Sequence, residues 1–363
     1  MKKFLAIFLS LLMLVGVSVA LIACVPASDN NGDTTGDGND DGNGSQTATV
    51  EADVYAPDGA PALALAQLMS EEMQFGGKVT YNVVAADTIQ TYVTGNDPQA
   101  ELCILPVNAA AMLLGTGEKY QMLGAVTHGN LYVLSAKHTE EITAENAAEL
   151  LAGTKIGSLQ LENFVGYAFR TVLSKYDVSF EVRTDKGETN ETETAYLYNV
   201  DGTEIIPSAD YDYMIAAEPA VSKKVNATKD TPKPLKVVGD LQALYGENGY
   251  PQAVLVAKKD FIAENAAFIE DFTDAVAANA AWLLDEETQA QTIYDAVVGH
   301  YLKEGTTPTF GVSDLTKEVI GACAVRFDSA ASCKARVKEF LTELSVAANK
   351  TFSATDAFFY TAA

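Results

Sequence analysis

The chain has 363 residues, with 24 Lys and Arg against 49 Asp and Glu, a formal charge of −25. That acidity argues against nucleic acid as a partner, because a phosphate backbone would be repelled. The 4 cysteines and 3 histidines are too scattered to form a local zinc-ligand spacing.

Met1-Lys2-Lys3 opens the chain, and an apolar run follows from Phe4 to Ile22. The run is close to the roughly 20 residues of a membrane span, so a secretory signal and a single spanning helix both fit its length. Residues 25–46 then read Asn, Gly, Asp, Ser and Thr, with Asp37-Gly38-Asn39-Asp40-Asp41-Gly42 as one cluster. Such a stretch buries too little apolar surface to offset its ordering, and is expected to be a solvated tether. The two lysines, the short apolar run and Leu21-Ile22-Ala23-Cys24 together resemble the lipobox of a bacterial lipoprotein signal. That resemblance implies a signal peptide over 1–23, a tether over 24–48 and a diacylglyceryl group on Cys24. Cys103, Cys323 and Cys333 then remain, an odd number that leaves at least one thiol free. Cys103, inside Leu102-Cys103-Ile104-Leu105, reads as a buried structural cysteine. A short bridge between Cys323 and Cys333 stays open.

After the tether enough chain is left for one large or two ordinary domains. Residues 52–56 read as a first strand, and Asp58-Gly59-Ala60-Pro61 turns into a helix through Leu63, Leu68, Met69 and Met73. Strands at 79–84 and 101–106 lead into short helices near 89–93 and 108–114. Strands at 120–126 and 131–135 flank Thr127-His128-Gly129-Asn130. Thr143 and Gly153 read as the cap and stop of one helix. A strand at 155–158 leads to a helix that turns Phe164, Phe169, Val172 and Leu173 inward. A strand at 178–183 precedes a polar, acidic excursion over 185–194. The strand at 213–217 ends in Glu218-Pro219, and strands at 235–238 and 253–257 follow. Asp260 is the expected cap of one long amphipathic helix with Ile262, Ile269, Phe272, Val276 and Leu283 on its apolar face. The remainder to about residue 348 reads as helical, with Phe358-Phe359-Tyr360 as a packed tail.

Short apolar runs alternating with helical patterns predict an α/β protein with mixed, mostly parallel sheets flanked by helices. The order of the blocks suits two lobes with two crossovers between them. In such sheets ligands bind outside the carboxyl ends of strands and in the crevice between lobes.

Seven segments carry a wider resemblance when taken in order. They are the lipobox with its tether, Tyr55-Ala56-Pro57-Asp58-Gly59-Ala60-Pro61-Ala62, Ile104-Leu105-Pro106-Val107-Asn108, His128-Gly129-Asn130-Leu131-Tyr132, Leu151-Ala152-Gly153-Thr154-Lys155-Ile156-Gly157, Ala217-Glu218-Pro219-Ala220 and Tyr250-Pro251-Gln252-Ala253. Together they resemble the type II periplasmic solute-binding proteins of ABC importers, nearest the branch that handles thiamine-pyrimidine precursors, sulfonates and nitrate. The resemblance implies a Venus-flytrap body, with lobe one over 49–134 and 255–363 and lobe two over 135–254. It also implies hinge closure on a solute, an ABC permease and its ATPase as partners, and a monomer without cofactor on the outer face of the cell membrane.

The turns at the carboxyl ends of the strands supply the candidate ligand contacts. Asp58, Gly59 and Ala60 offer a close backbone approach, although an ordinary strand-to-helix turn reads the same way. Pro106 and Asn108 fill the turn after the third strand, where Asn108 also fits a helix cap. Thr127, His128 and Asn130 interrupt apolar runs and need partners, from a ligand or from the hinge backbone. In lobe two Gln160 and Asn163 stand where the family's matching loop carries a small hydroxyl residue, which puts its anion specificity in doubt. Glu218 and Tyr250 complete the set, and Tyr213 and Tyr245 could also stack on a planar ring. No lysine or arginine lies in these turns, and Asp58, Glu162 and Glu218 lean toward a neutral or cationic ligand. No nucleophile elbow, metal motif or phosphate loop favours catalysis. The superfamily's pyrimidine-making enzymes carry a cysteine-rich metal segment that this chain lacks. A ligand-sensing lipoprotein that signals to a membrane receptor remains the other reading.

Overall fold

In the computed structural model, residues 49–185, 193–208, 210–303 and 306–362 are described. The expected signal peptide, Cys24 and the tether lie outside them, as does most of the 185–194 excursion.

Among the described residues twelve strands form two six-stranded sheets. They are β1 (Glu51–Pro57), β2 (Lys78–Val84), β3 (Leu102–Pro106), β4 (Tyr120–Thr127), β5 (Leu131–Ser135) and β6 (Lys155–Leu159), then β7 (Ser179–Arg183), β8 (Thr194–Val200), β9 (Tyr213–Ala217), β10 (Lys236–Asp240), β11 (Ala253–Lys258) and β12 (Val325–Ser329). The first sheet runs β12-β4-β11-β3-β1-β2 and the second β10-β5-β9-β6-β8-β7. In the first, β1 lies parallel to β2 and β3, while β11 runs antiparallel between β3 and β4. In the second, β6 to β9 are mutually parallel, and β5 runs antiparallel between β9 and β10. Parallel strands covered by helices on both faces read as continuous apolar runs. Leu102, Cys103, Ile104 and Leu105 of β3 are accordingly all buried.

The chain passes between sheets twice, through 128–130 and through 241–252. The first passage lies ahead of the 134/135 boundary expected from sequence, because β5 pairs with β9 and β10. The second ends where β11 re-enters the first sheet at Ala253. The C-terminal helix Ala330–Ala348 joins the two lobes' packing. Its Phe340 lies 6.3 Å, centroid to centroid, from Phe164 on the second lobe's helix Phe164–Lys175.

Three expectations about local structure change. The helix expected from Thr143 is a short one, Ala147–Leu151, starting after Asn146, whose Oδ1 accepts from Thr143 N at 2.7 Å. The long helix expected from Asp260 is two, Lys259–Glu264 and Ala266–Leu284, broken at Asn265, whose side chain bonds Phe261 O at 3.0 Å. Two strands were not anticipated, β8 and, inside the helical tail, β12. Cys103, Cys323 and Cys333 are all buried free thiols, so Cys323 and Cys333 form no bridge. Phe358 and Phe359 are buried, as expected of a packed tail.

Candidate functional site: a cleft at the two crossings

The carboxyl end of β1 is shaped by Pro57, Asp58 and Gly59. Asp58 N donates to Val84 O at 2.9 Å, and its Oδ1 accepts from Gly59 N at 2.8 Å. Gly59 has φ 98°, a left-handed conformation that a side chain would strain, and so brings the backbone round into Ala60. The other carboxylate oxygen of Asp58 accepts from Thr309 N at 3.0 Å and ties this turn to the loop before Phe310.

In the second lobe β6 ends at Leu159, and Gln160 takes a left-handed φ of 47°. Asn163 then caps the next helix, its Oδ1 accepting from Phe164 N at 2.8 Å. β9 ends in Ala217-Glu218-Pro219, where both Glu218 oxygens are held by Ser222, through its N–H at 3.0 Å and its hydroxyl at 2.7 Å. Burial pushes the Glu218 carboxyl up, against the pull of those two bonds, and the nearby Asp314 and Glu318 add to the rise.

These turns meet where the chain crosses between lobes and enclose a cleft of about 240 Å³. The volume is below the roughly 300–1,000 Å³ of drug-sized sites, which suits a small solute. Asp58, Gly59, Ala60, Pro106, Asn130, Gln160 and Glu218 all line it. Asn130, on the first crossing, is 2% exposed. Its Nδ2 donates to Glu218 O at 2.7 Å, while its buried Oδ1 has no partner. Gln252, on the second crossing, also lines the cleft with a buried, unpartnered Oε1.

The other candidates lie elsewhere. Thr127 fastens one crossing to the other, its Oγ1 accepting from Ala253 N at 3.1 Å. His128 is 1% exposed and faces Asp328 and Arg336 behind the hinge. Asn108 is buried at the start of the helix Val107–Leu114, outside the cleft lining. Asn163 serves as the helix cap. Tyr250 is fully buried and stacks on Phe340 with centroids 5.3 Å apart. Tyr213 stacks on His138 at 4.9 Å, and Tyr245 donates to Glu343 at 2.7 Å. Gln252, Thr309, Phe164 and Pro219 enter the lining without having been selected from sequence. Gln252 lies two residues after Tyr250, in Tyr250-Pro251-Gln252-Ala253.

Among the described residues no group of three His, Cys, Asp or Glu is placed to hold a metal ion. No helix among them is long and apolar enough to cross a membrane.

Two α/β lobes, two crossings and a cleft at the carboxyl ends of the strands are the fold of the periplasmic binding proteins of ABC importers. Solved structures of that kind match this chain over most of its length. An ABC transporter structure from Parabacteroides distasonis is 17% identical, with TM-score 0.61, over 85% of this chain and 98% of that one. The alkanesulfonate-binding protein SsuA from Xanthomonas axonopodis pv. citri, bound to MOPS, is 13% identical, with TM-score 0.54, over 84% and 95%. The periplasmic nitrate-binding protein NrtA from Synechocystis PCC 6803 is 10% identical, with TM-score 0.54, over 84% and 86%. At these identities the likeness is one of fold. No family model and no curated protein sequence matches the chain.

Proposed function

We propose that this protein is a non-catalytic solute receptor that captures a small molecule between its lobes and delivers it to an ABC permease and its ATPase. The observation that carries the reading is the convergence of turns from both lobes on one cleft at the crossings, with the buried Oδ1 of Asn130 left without a partner there. A buried acceptor is costly unless something completes it, and a bound solute can. A cleft built from both lobes also couples binding to their relative position, since a ligand that touches both favours the closed arrangement. The fold shared with SsuA and NrtA supports the same reading. Asp58, Gly59, Ala60, Pro106, Asn130, Gln160, Glu218 and Gln252 are the proposed contacts.

The lipobox-like Leu21-Ile22-Ala23-Cys24 and the polar segment after it support a receptor held at the outer face of the cell membrane. In this proposal Cys24 carries the lipid, and residues 24–48 let a monomeric body reach a permease while tethering raises its effective concentration there.

A thermal-shift screen of the body against amines, pyrimidines, sulfonates, nitrate and amino acids tests the receptor role. A cognate solute at a hundred times its Kd stabilises the fold by about 2.7 kcal/mol. Melting curves that no small solute moves would sink the proposal. Radiolabelled palmitate in a bacterial host tests the anchor, which requires label on the native chain and none on Cys24→Ser.

A further inference from the structure

The lining of the cleft is one-sided in its chemistry. Asp58 of the first lobe and Glu218 of the second are among the lining residues, Glu218 with its carboxyl turned to Ser222, and no lysine or arginine is among them. Asp58 is held by the neutral donors Gly59 N and Thr309 N, and Glu218 by the two donors of Ser222. Among the described residues neither carboxylate has a cationic partner within 4 Å. Lys223, nearby on the helix Ala220–Thr228, spends its ammonium on Pro308 O at 3.2 Å. The hydrogen-bonding surface is acceptor-rich as well. The bond from Asn130 Nδ2 to Glu218 O fixes the Asn130 amide, because a flipped amide would set two oxygens 2.7 Å apart. Its Oδ1 is therefore an acceptor without a donor, and Gln252 Oε1 is another.

A sulfonate or nitrate brings only negative charge and further acceptors. It would meet the Asp58 carboxylate, with Glu218 close behind, and leave the Asn130 acceptor unsatisfied. A protonated amine, amidine or aminoheterocycle brings what is missing, positive charge and N–H donors. The apolar part of such a molecule has Pro57, Pro61, Leu159, Phe164 and Val165 to cover it. We infer that the solute is a small organic cation whose N–H groups bond Asn130 and Gln252 and whose charge lies between Asp58 and Glu218. Because the two carboxylates come from different lobes, the same cation would draw the lobes together. The inference rests on the receptor reading and adds the ligand's charge and donor pattern to it.

Native mass spectrometry of the intact body, after incubation with a defined mixture of amines, amidines, aminoheterocycles, sugars, carboxylates, sulfonates and nitrate, is the test. Retention of a protonated amine, amidine or aminoheterocycle is expected. Its affinity should fall about ten- to a hundredfold in Asp58→Asn and in Asn130→Leu, the scale of one lost hydrogen bond to a charged group. Asp58→Glu, which keeps the charge, should lose less than Asp58→Asn, and circular dichroism checks that each variant is folded. A retained sulfonate, nitrate or sugar overturns the inference while the receptor reading stands. A retained cation that binds folded Asp58→Asn and Asn130→Leu as well as the native chain also overturns it. A protein that retains nothing overturns inference and receptor reading together.

Discussion

Asn130 and Glu218 are bonded to one another twice. Asn130 Nδ2 donates to Glu218 O at 2.7 Å, and Glu218 N donates to Asn130 O at 2.9 Å. The pair joins the first crossing to the end of β9 and leaves only Asn130 Oδ1 for the cleft. Asn130→Ala removes the side-chain bond and should cost about 1–2 kcal/mol of stability in urea denaturation. Affinity for the cognate solute should fall about tenfold in the same variant, read by isothermal titration. Loss of stability with unchanged affinity would make Asn130 a hinge fastener alone.

The elements of this fold were legible where burial was uniform. β3, β5 and β11 are apolar over most of their length because helices and sheet neighbours cover both faces, and their letters say so. β12 was hidden because Val-Arg-Phe-Asp-Ser is a half-buried edge strand between helical segments, held by its pairing with β4. β8 alternates Tyr196, Leu197 and Tyr198 but follows a polar excursion that masks its start. The site was half legible for a related reason. Strand-to-helix turns announce themselves through Gly59 and Glu218-Pro219, yet Thr309 reaches the cleft only through a contact 251 residues distant in sequence. His128 and Asn130 looked equivalent, but Gly129 between them has φ 95° and turns one behind the hinge and the other into the cleft.

Gly249 fits against the first crossing so closely that no side chain can be added. Its φ is 60°, and a Cβ built there would lie 2.2 Å from His128 O. Gly249→Ala should therefore cost about 3 kcal/mol through backbone strain and steric displacement of the crossing. Gly246→Ala is the control, since Gly246 has extended backbone and nothing within 4 Å of an added Cβ. Thermal melts of the two variants should differ by several degrees, and similar melts would show that the crossings yield easily.

Asn279 is fully buried in the helix Ala266–Leu284 and repairs a break in its neighbour. Its Oδ1 accepts from Gln67 N at 2.9 Å, and its Nδ2 donates to Leu63 O at 3.0 Å. Those two backbone groups flank the gap between Ala60–Leu63 and Ala66–Ser70. Asn279→Leu keeps the branched shape, adds some bulk and strands both groups, and should cost about 3 kcal/mol in urea denaturation. A cost below about 1 kcal/mol would mean that water replaces both bonds.

His128 makes stability depend on pH in a window of its own. Its ring is buried, 3.5 Å from Asp328 Oδ2, and its Nδ1 lies 3.3 Å from the Arg336 guanidinium. Arg326 joins the cluster, 3.5 Å from Asp328, and donates to Asn248 O on the other crossing at 3.0 Å. Burial, reinforced by Arg326 and Arg336 and only partly opposed by Asp328, lowers the imidazole from 6.5 to about 4. The folded chain thus keeps His128 neutral where the unfolded chain takes up a proton. Between 6.5 and about 4 the unfolded state binds more protons, so stability must fall as pH falls and must stop falling on this account below about 4. Burial pushes the Asp328 carboxyl up, but Arg336, His128 and Arg326 outweigh it and hold it below the usual 3.8. Its stabilisation is lost only at lower pH, so the two windows separate. Native chain and His128→Gln, compared by urea midpoints across the upper window, should show a steeper acid loss in the native chain, on the order of 2 kcal/mol. Parallel profiles would place the proton uptake on another group and leave His128 a packing residue of the hinge.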